Sequence, residues 1–392
     1  MQGSSTSIYT PRFLRLCASS FLFFASFSMI LPELPAYLSQ LGGADYKGLI
    51  ISLFTLAAAL SRPFSGKLTD HIGRKPVIFL GILVSLLSGL FYTVLVTVTG
   101  FLWLRFLHGF STGFTPTGTS AYVADLAPPH RRGEAMGILG MISNIGTAFG
   151  PALGSEIAYQ FSNQWMFLTA SGFALLSLLV LLGLRETLAN PLAFRWAHLS
   201  VRKNEIFEKR VIVPSVVMLL SIFSFGVVLT LVPDFSEHLG LRNKGLFFSV
   251  YTLSSLGVRL LAGRLSDLYG RKIVLQWALV VMMVAMACIA YAQSPGQFLW
   301  GAGIFGLAVG MSSPTLFAWT IDLSREAHRG RAIATVFIAL EVGIGLGALL
   351  SGWLYDNQIS RLPLAFLVAG GLAGLAWFFL SLSRAWVPSI EN

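Results

Sequence analysis

GKLTDHIGRK at residues 66–75 and GRLSDLYGRK at residues 263–272 are two versions of one segment, set 197 residues apart. Gly66, Leu68, Asp70, Gly73, Arg74 and Lys75 return as Gly263, Leu265, Asp267, Gly270, Arg271 and Lys272. The likeness extends outward from this segment. Lys47–Ile78 laid on Lys244–Leu275 is identical at 14 of 32 positions, and the same shift carries Phe101-Leu102-Trp103 onto Phe298-Leu299-Trp300, Asp125 onto Asp322 and Gly133 onto Gly330. A constant offset over so long a stretch marks an internal duplication. Each copy lies between two long apolar runs, so the chain reads as two sets of apolar helices joined by short charged loops.

Composition says what surrounds those helices. Of 392 residues, 55% are hydrophobic and 11% charged, and the mean hydropathy is +0.74. A soluble chain carries about 25% charged residues, so a soluble enzyme, a disordered chain and a secreted disulfide scaffold are excluded. Apolar runs cover 13–38, 46–66, 76–98, 100–123, 132–159, 165–184, 211–238, 244–264, 273–293, 296–321, 330–356 and 361–383. Each is near the roughly 20 residues that a bilayer span needs. They are too long and too uniform for barrel strands. The first run follows Arg12 and Arg15 and has no small-residue cleavage site, so it is read as a retained helix. Placing the N-terminus inside puts 20 of the 27 Lys and Arg on the inner side. Lys47, Arg242, Lys244 and Arg361 lie outside, and Arg62, Arg105 and Arg259 lie within runs, Arg62 and Arg259 close enough to inner ends to snorkel. The net charge of +10 therefore sets topology and does not point to nucleic acid. Cys17 and Cys288 have no metal-ligand or CxxC spacing. The expected fold is an all-α membrane protein. Twelve transmembrane helices form two pseudo-symmetric six-helix bundles, residues 1–184 and 211–392, with both termini cytoplasmic. A cytoplasmic linker at 185–210 carries Phe194, Trp196, Leu199, Ile206 and Phe207, a pattern that suits a helix on the membrane surface.

The duplicated segment resembles the signature loop after helix 2 of the major facilitator superfamily, and 263–272 resembles its second copy. Arg105 with Gly109 and Gly113 resembles the helix 4 motif of proton-linked members, with His108 where many relatives carry Gln. Gly146, Gly150, Pro151 and Gly154 resemble the helix 5 motif of the twelve-helix drug/proton antiporters, whose last glycine is Ser155 here. The pattern is also similar to bacterial sugar-efflux-like permeases. The resemblance implies alternating access about a central site, export of a small molecule and exchange for protons.

Physical chemistry singles out a few residues. Asp70 can accept from a neighbouring helix N-terminus, and Arg74 and Lys75 can pair with it or with lipid headgroups. These three, with Asp267 and Arg271, are the expected charge latch. Glu33 sits in Leu31-Pro32-Glu33-Leu34-Pro35, where two prolines free backbone carbonyls that only protein or a water-filled cavity can satisfy. Helix-length counting puts Glu33 and Arg105 at similar depth, about 12 and 7 Å below the outer helix ends. A carboxyl alternating between burial and an arginine can take up and release a proton, and His108, one turn from Arg105, can join the relay. Glu341 falls near the centre of its run, a costly place for a charge. Its repeat counterpart is Asn144, and both are expected to contact substrate, as are Glu33 and the aromatic residues Trp319 and Phe337. The four-residue spacing of Gly146, Gly150 and Gly154, with Pro151, suits close helix approach and a hinge or seal against helix 8 of the other half. Asp234 is expected at a solvated outer end. Ala302 takes the place of Arg105 in the second half, which concentrates proton coupling in the first.

The expected protein is a proton-coupled secondary transporter in the inner membrane of a bacterium. It exports a small amphipathic molecule, acts as a monomer among lipids, and uses no cofactor, metal or nucleic acid. Without a P-loop it does not hydrolyse ATP, and without HExxH or GxSxG it is not an enzyme of those kinds. An uptake symporter and a lipid-translocating member of the same fold remain alternatives.

Overall fold

The computed structural model describes residues 8–128, 131–195, 207–324 and 329–383. Among them run thirteen α-helices and no strand: α1 (Pro11–Met29), α2 (Leu34–Gln40), α3 (Lys47–His71), α4 (Arg74–Tyr92), α5 (Val98–Leu126), α6 (Arg132–Gln160), α7 (Asn163–Leu182), α8 (Ile212–His238), α9 (Gly245–Tyr269), α10 (Arg271–Ala290), α11 (Pro295–Leu323), α12 (Arg329–Tyr355) and α13 (Leu362–Leu382). Ten stretches are long and apolar enough to cross a bilayer, α1 with α2 counting as one, and α9 makes an eleventh with a 45° bend between Gly245–Arg259 and Leu261–Tyr269. Large apolar side chains on their surfaces stay uncovered, among them Trp103 (63% exposed) and its repeat mate Trp300 (77%). Soluble proteins do not leave apolar surface bare on this scale. The chain is a multi-pass membrane protein.

Local sequence sets the helix ends. Thr97 and its repeat mate Ser294 cap α5 and α11 by accepting from Gly100 N and Gln297 N, which satisfies an orphan amide at each start. The α1–α2 break falls at Pro32 and Pro35. Pro32 has no N–H to give, and the chain crosses the gap in a tight turn in which Leu31 N donates to Ser28 O and Glu33 N to Ile30 O.

The chain divides into two compact units, Met1–Glu33 with Leu60–Val201 and Leu34–Ala59 with Arg202–Asn392. The boundary runs through α3. Its first half, with α2, belongs to the second unit, where Gly48 lies against Ala348, Leu349 and Gly352 of α12. In the first unit α1 packs on α6 and α7, and α4 on α5 and α7. In the second, α8 packs on α12 and α13, and α10 on α11 and α13. The duplication is thus repeated as a pattern of neighbours. The first unit's core joins Phe13, Leu16 and Phe23 to Ile82, Tyr122 and Leu181.

Glycines set the closest approaches. A Cβ added at Gly146, Gly150 or Gly154 would overlap backbone of Phe21, Ala25 and Met29, all on α1. The nearest atoms to this face belong to its own unit. The same seam recurs in the second unit, where Gly343 and Gly347 of α12 lie against Leu219 and Phe223 of α8.

The signature loops are held within their units. Arg74 Nε donates to Asp125 at 3.0 Å, its Nη1 to the Thr69 carbonyl at 2.6 Å, and Nη1 lies 3.5 Å from Asp70. In the second copy Arg271 Nε donates to Asp322 at 2.9 Å and its Nη1 to Asp267 at 2.5 Å. Lys75 donates to the carbonyls of Leu182 and Leu184 at the end of α7, and Lys272 to those of Ser381 and Ser383 at the end of α13. The carboxylate that takes the first amides of α4 is Glu186, not Asp70. It accepts from Arg74 N at 3.0 Å, Lys75 N at 2.9 Å, Thr187 N at 2.8 Å and Leu188 N at 2.9 Å. The end of the linker is also anchored: Glu208 receives two hydrogen bonds from Arg331, and its N–H donates to Thr335. Phe194 and Phe207 are exposed, while Trp196, Leu199 and Ile206 lie outside the described residues.

Removing the Glu186 carboxylate leaves four amides without their acceptor, so Glu186→Ala should cost about 1–3 kcal/mol, read as a lower unfolding temperature in detergent. Gly73 and Gly270 both have positive φ, +120° and +88°, but only at Gly73 would a Cβ strike a side chain, that of Glu186. Gly73→Ala should therefore lower the unfolding temperature more than Gly270→Ala. Equal losses would refute the role given to Glu186.

Candidate functional site

In the first unit the proline break carries Glu33 half-buried between α1 and α2. Ser155 of α6, 2% exposed, donates through Oγ to Glu33 Oε1 at 2.7 Å. The glycine seam places that hydroxyl. It draws the α6 backbone onto α1 as far as Met29, so the residue after Gly154 arrives where α1 ends.

Arg105 is fully buried on α5 and forms a polar cluster with His108, Tyr92 and Ser85, all 0–2% exposed. Arg105 Nη1 donates to Tyr92 Oη at 3.4 Å and meets His108 Nδ1 at 3.4 Å, while His108 Nε2 lies 3.3 Å from Ser85 Oγ. A guanidinium cannot accept, so His108 Nδ1 is the acceptor and the ring proton sits on Nε2, directed at Ser85. His108 thereby holds Arg105, and Tyr92 Oη lies 3.4 Å from the same ring nitrogen. Sequence reading placed His108 with Arg105, but the contributions of Tyr92 and Ser85 were not foreseen. They lie on α4, and nothing in their own spacing signals a polar partner on α5.

In the second unit Glu341 is 6% exposed. It lines a cavity of about 210 Å³ with Ser52, Thr55 and Ala59 of α3 and Val342 and Gly345 of α12. One turn before Glu341, Phe337 packs on Phe317 at 4.9 Å between ring centres. Trp319 is half-buried on α11. Asn144 is half-buried on α6, in the first unit. Arg259, expected to snorkel, instead has its Nε enclosed and without a hydrogen-bond partner among the described residues.

Asp234 departs from expectation. Its side chain is 12% exposed and forms an ion pair with Lys47, whose ammonium also lies 5.6 Å from the centre of the Tyr355 ring. These three, with Ser39, Glu237 and His238, line a cavity of about 470 Å³. Glu237 receives Lys244 at 2.9 Å. Asp234 and Lys47 are both visible as charges in the sequence, but their pairing across 187 residues is not. Lys47→Met leaves Asp234 enclosed without its counter-charge and should cost about 1–3 kcal/mol. The exchanged pair Lys47→Asp with Asp234→Lys should recover most of the lost unfolding temperature. A double variant no better than Lys47→Met would show that the pair contributes nothing.

Comparison with known proteins places this arrangement. A profile of the Major Facilitator Superfamily matches residues 16–247 and again 214–390. The chain is 29% identical over 340 residues to the multi-drug resistance efflux pump PmrA of Streptococcus pneumoniae, covering 80% of this chain and 82% of that one. It is 22% identical over 377 residues to the quinolone resistance protein NorA of Staphylococcus aureus, covering 91% and 92%. The fold matches the nucleoside transporter NupG with a TM-score of 0.79 at 15% identity (95% and 100% covered). It matches the human organic anion transporter MFSD10 with a TM-score of 0.72 at 20% identity (94% and 98% covered). The duplicated loops, the shared pattern of helix neighbours and the match along nearly the whole chain together establish that the protein belongs to the Major Facilitator Superfamily.

Proposed function

We propose that the protein is a proton-coupled exporter of small amphipathic organic molecules. It works by alternating access as a monomer, with twelve membrane-spanning helices in two pseudo-symmetric halves, residues 1–184 and 211–392, joined by the linker at 185–210. Both termini lie on the cytoplasmic side of a bacterial inner membrane, in keeping with the placement of Lys and Arg. The twelve spans are α1 with α2 as one and each of α3 to α13. The relatives named for multi-drug efflux and quinolone resistance support export.

The observation that carries the reading is Glu33, an ionisable group at a proline break inside an apolar span, held by a buried hydroxyl. A carboxyl in such a place is costly and needs a function to retain it. In the proposed cycle Glu33 takes a proton when its site opens outward and gives it up when the site opens inward. The released carboxylate then meets substrate entering from the cytoplasm. Arg105 supplies the positive charge that favours release, and His108 holds that charge in place. Glu341 is a second acidic contact. The apolar cavity beside it, with Phe337 and Trp319, suits the apolar body of an amphipathic cation, and Asn144 adds a polar contact in the first half. Asp70, Arg74, Lys75, Asp267 and Arg271 brace the inner loops, and Gly146, Gly150, Pro151 and Gly154 let α6 shift on α1 as the halves rock.

Proteoliposomes with an imposed pH gradient, loaded with ethidium or a fluorescent quinolone, test this. Wild type should drive the dye against the proton flow. Glu33→Gln and Arg105→Ala should lose gradient-driven transport by at least about 10-fold while still exchanging dye down its own gradient. Dye moving with the protons would establish symport, and full gradient-driven transport by Glu33→Gln would remove Glu33 from the mechanism.

A further inference from the structure

Two departures from a plain helical span meet at one hydrogen bond. Glu33 puts an acid into the gap between α1 and α2, and Ser155 puts a hydroxyl where the glycine motif of α6 ends. The 2.7 Å contact joins them, and Ser155 is 2% exposed. Gly146, Gly150 and Gly154 press α6 against Phe21, Ala25 and Met29, so the register of the two helices directs the next side chain into the gap.

The second half serves as an internal control. Its glycine seam matches the first through the backbone it meets: Gly146 on Phe21 answers to Gly343 on Leu219, and Gly150 on Ala25 to Gly347 on Phe223. In that register Pro35 corresponds to Pro233, Glu33 to Leu231 and Ser155 to Gly352. Leu231 is fully buried, and Gly352 faces Gly48 with no side chain to offer. The acid and its hydroxyl donor are present together in one half and absent together from the other at the matching positions, while the first two glycine contacts of the seam are kept and Ser351 takes the place of Gly154. Ser155 therefore goes with Glu33 and is not a requirement of the seam.

We infer that Ser155 is a positioning residue for Glu33, fixing the carboxylate in the gap where it exchanges its proton. This rests on the proton-carrying reading of Glu33 given above. A donor aimed at a carboxylate favours its ionised form, and a hydrogen bond to a charged oxygen is stronger than one between neutral groups. When Glu33 is protonated the hydroxyl can turn and accept instead, so the contact persists with reversed direction. The other titratable groups on the neighbouring elements are few. On α1, Arg15 is 18 residues away, about 27 Å along a helix, and Arg12 and Cys17 lie at the same end. On α6, Glu156 follows Ser155 and accepts from Gln160, while Tyr159 lies a turn further on and Arg132 and Glu134 are at the far end. α7 carries no charged residue. Arg105, His108 and Tyr92 belong to the cluster on α4 and α5. Tyr37 follows one turn later in sequence.

The test is the pH profile of gradient-driven dye transport for wild type, Ser155→Thr, Ser155→Ala and Ser155→Gly, with Glu33→Gln as reference. Ser155→Thr keeps the hydroxyl and should keep the wild-type profile. Ser155→Ala and Ser155→Gly should shift the profile towards alkaline pH by about half to one unit, with KM for the dye changed less than about two-fold. The infrared band of the protonated carboxyl that Glu33→Gln removes should titrate with the same shift. Because glycine is the residue the motif would otherwise carry, Ser155→Gly keeps the seam intact. Profiles and infrared titrations that stay in place, with only a uniform loss of rate, would overturn this inference while leaving Glu33→Gln inactive and its own role intact. Gradient-driven transport retained by Glu33→Gln would instead overturn the parent reading.

Discussion

The cost of an ionised side chain in hydrocarbon governs this molecule. Even the lowest scales put it at about 2.5–3.5 kcal/mol for a single acid or base at the centre of a span, comparable to what burying one leucine side chain contributes. A chain that is 11% charged overall, with nearly all of those charges at helix ends, has been cleared of such groups wherever packing alone decides. The exceptions are therefore the informative residues. Arg105 is enclosed by Tyr92 and His108, Glu33 is held by Ser155, and Glu341 borders an apolar cavity. Each is retained at a cost that the surrounding fold has been shaped to reduce.

That shaping is a matter of backbone. Within an apolar layer the main chain must satisfy its own polar groups, so helices are obligatory, and the freedom left is how closely they approach. The α1–α6 and α8–α12 seams use glycine to bring backbones together, and both units repeat the same set of neighbours. The two halves differ in what is placed on that shared frame. The first carries Arg105 and the Glu33–Ser155 pair, whereas the second carries Ala302, Leu231 and Gly352 at the matching places. Duplication supplied the scaffold, and the ionisable groups made it asymmetric.

Much of this can be read in the sequence because the relevant signals are local or periodic. The twofold repeat, the apolar runs, the signature loops and the choice of Glu33, Arg105 and Glu341 as candidate site residues all follow from spacing and from the cost of charge. What could not be read was which helix each face meets. Four-residue spacing marks Gly146, Gly150 and Gly154 as a close-packing face but is silent on the helix that supplies the nearest backbone, which is α1. Glu186 looks like one more charge in a polar stretch until its carboxylate is seen to take four amides. Asp234 looks solvated until Lys47 covers it. Ser155 looks like a conservative change from glycine until it is found beside Glu33. In each case the missing information is a long-range contact, and periodicity along one helix cannot supply it.

The central claim is that substrate binds the ionised form of Glu33, so that substrate binding draws the proton off the carboxyl. The direct measurement is of protons released by purified protein in weakly buffered detergent solution, followed with a pH-sensitive dye as ethidium is added at fixed starting pH. The account expects up to about one proton per chain released in parallel with dye binding, with release abolished in Glu33→Gln although that variant still binds the dye. Proton release that persists undiminished in Glu33→Gln, or saturable dye binding by wild type with no release at any pH across the transport profile, would contradict it.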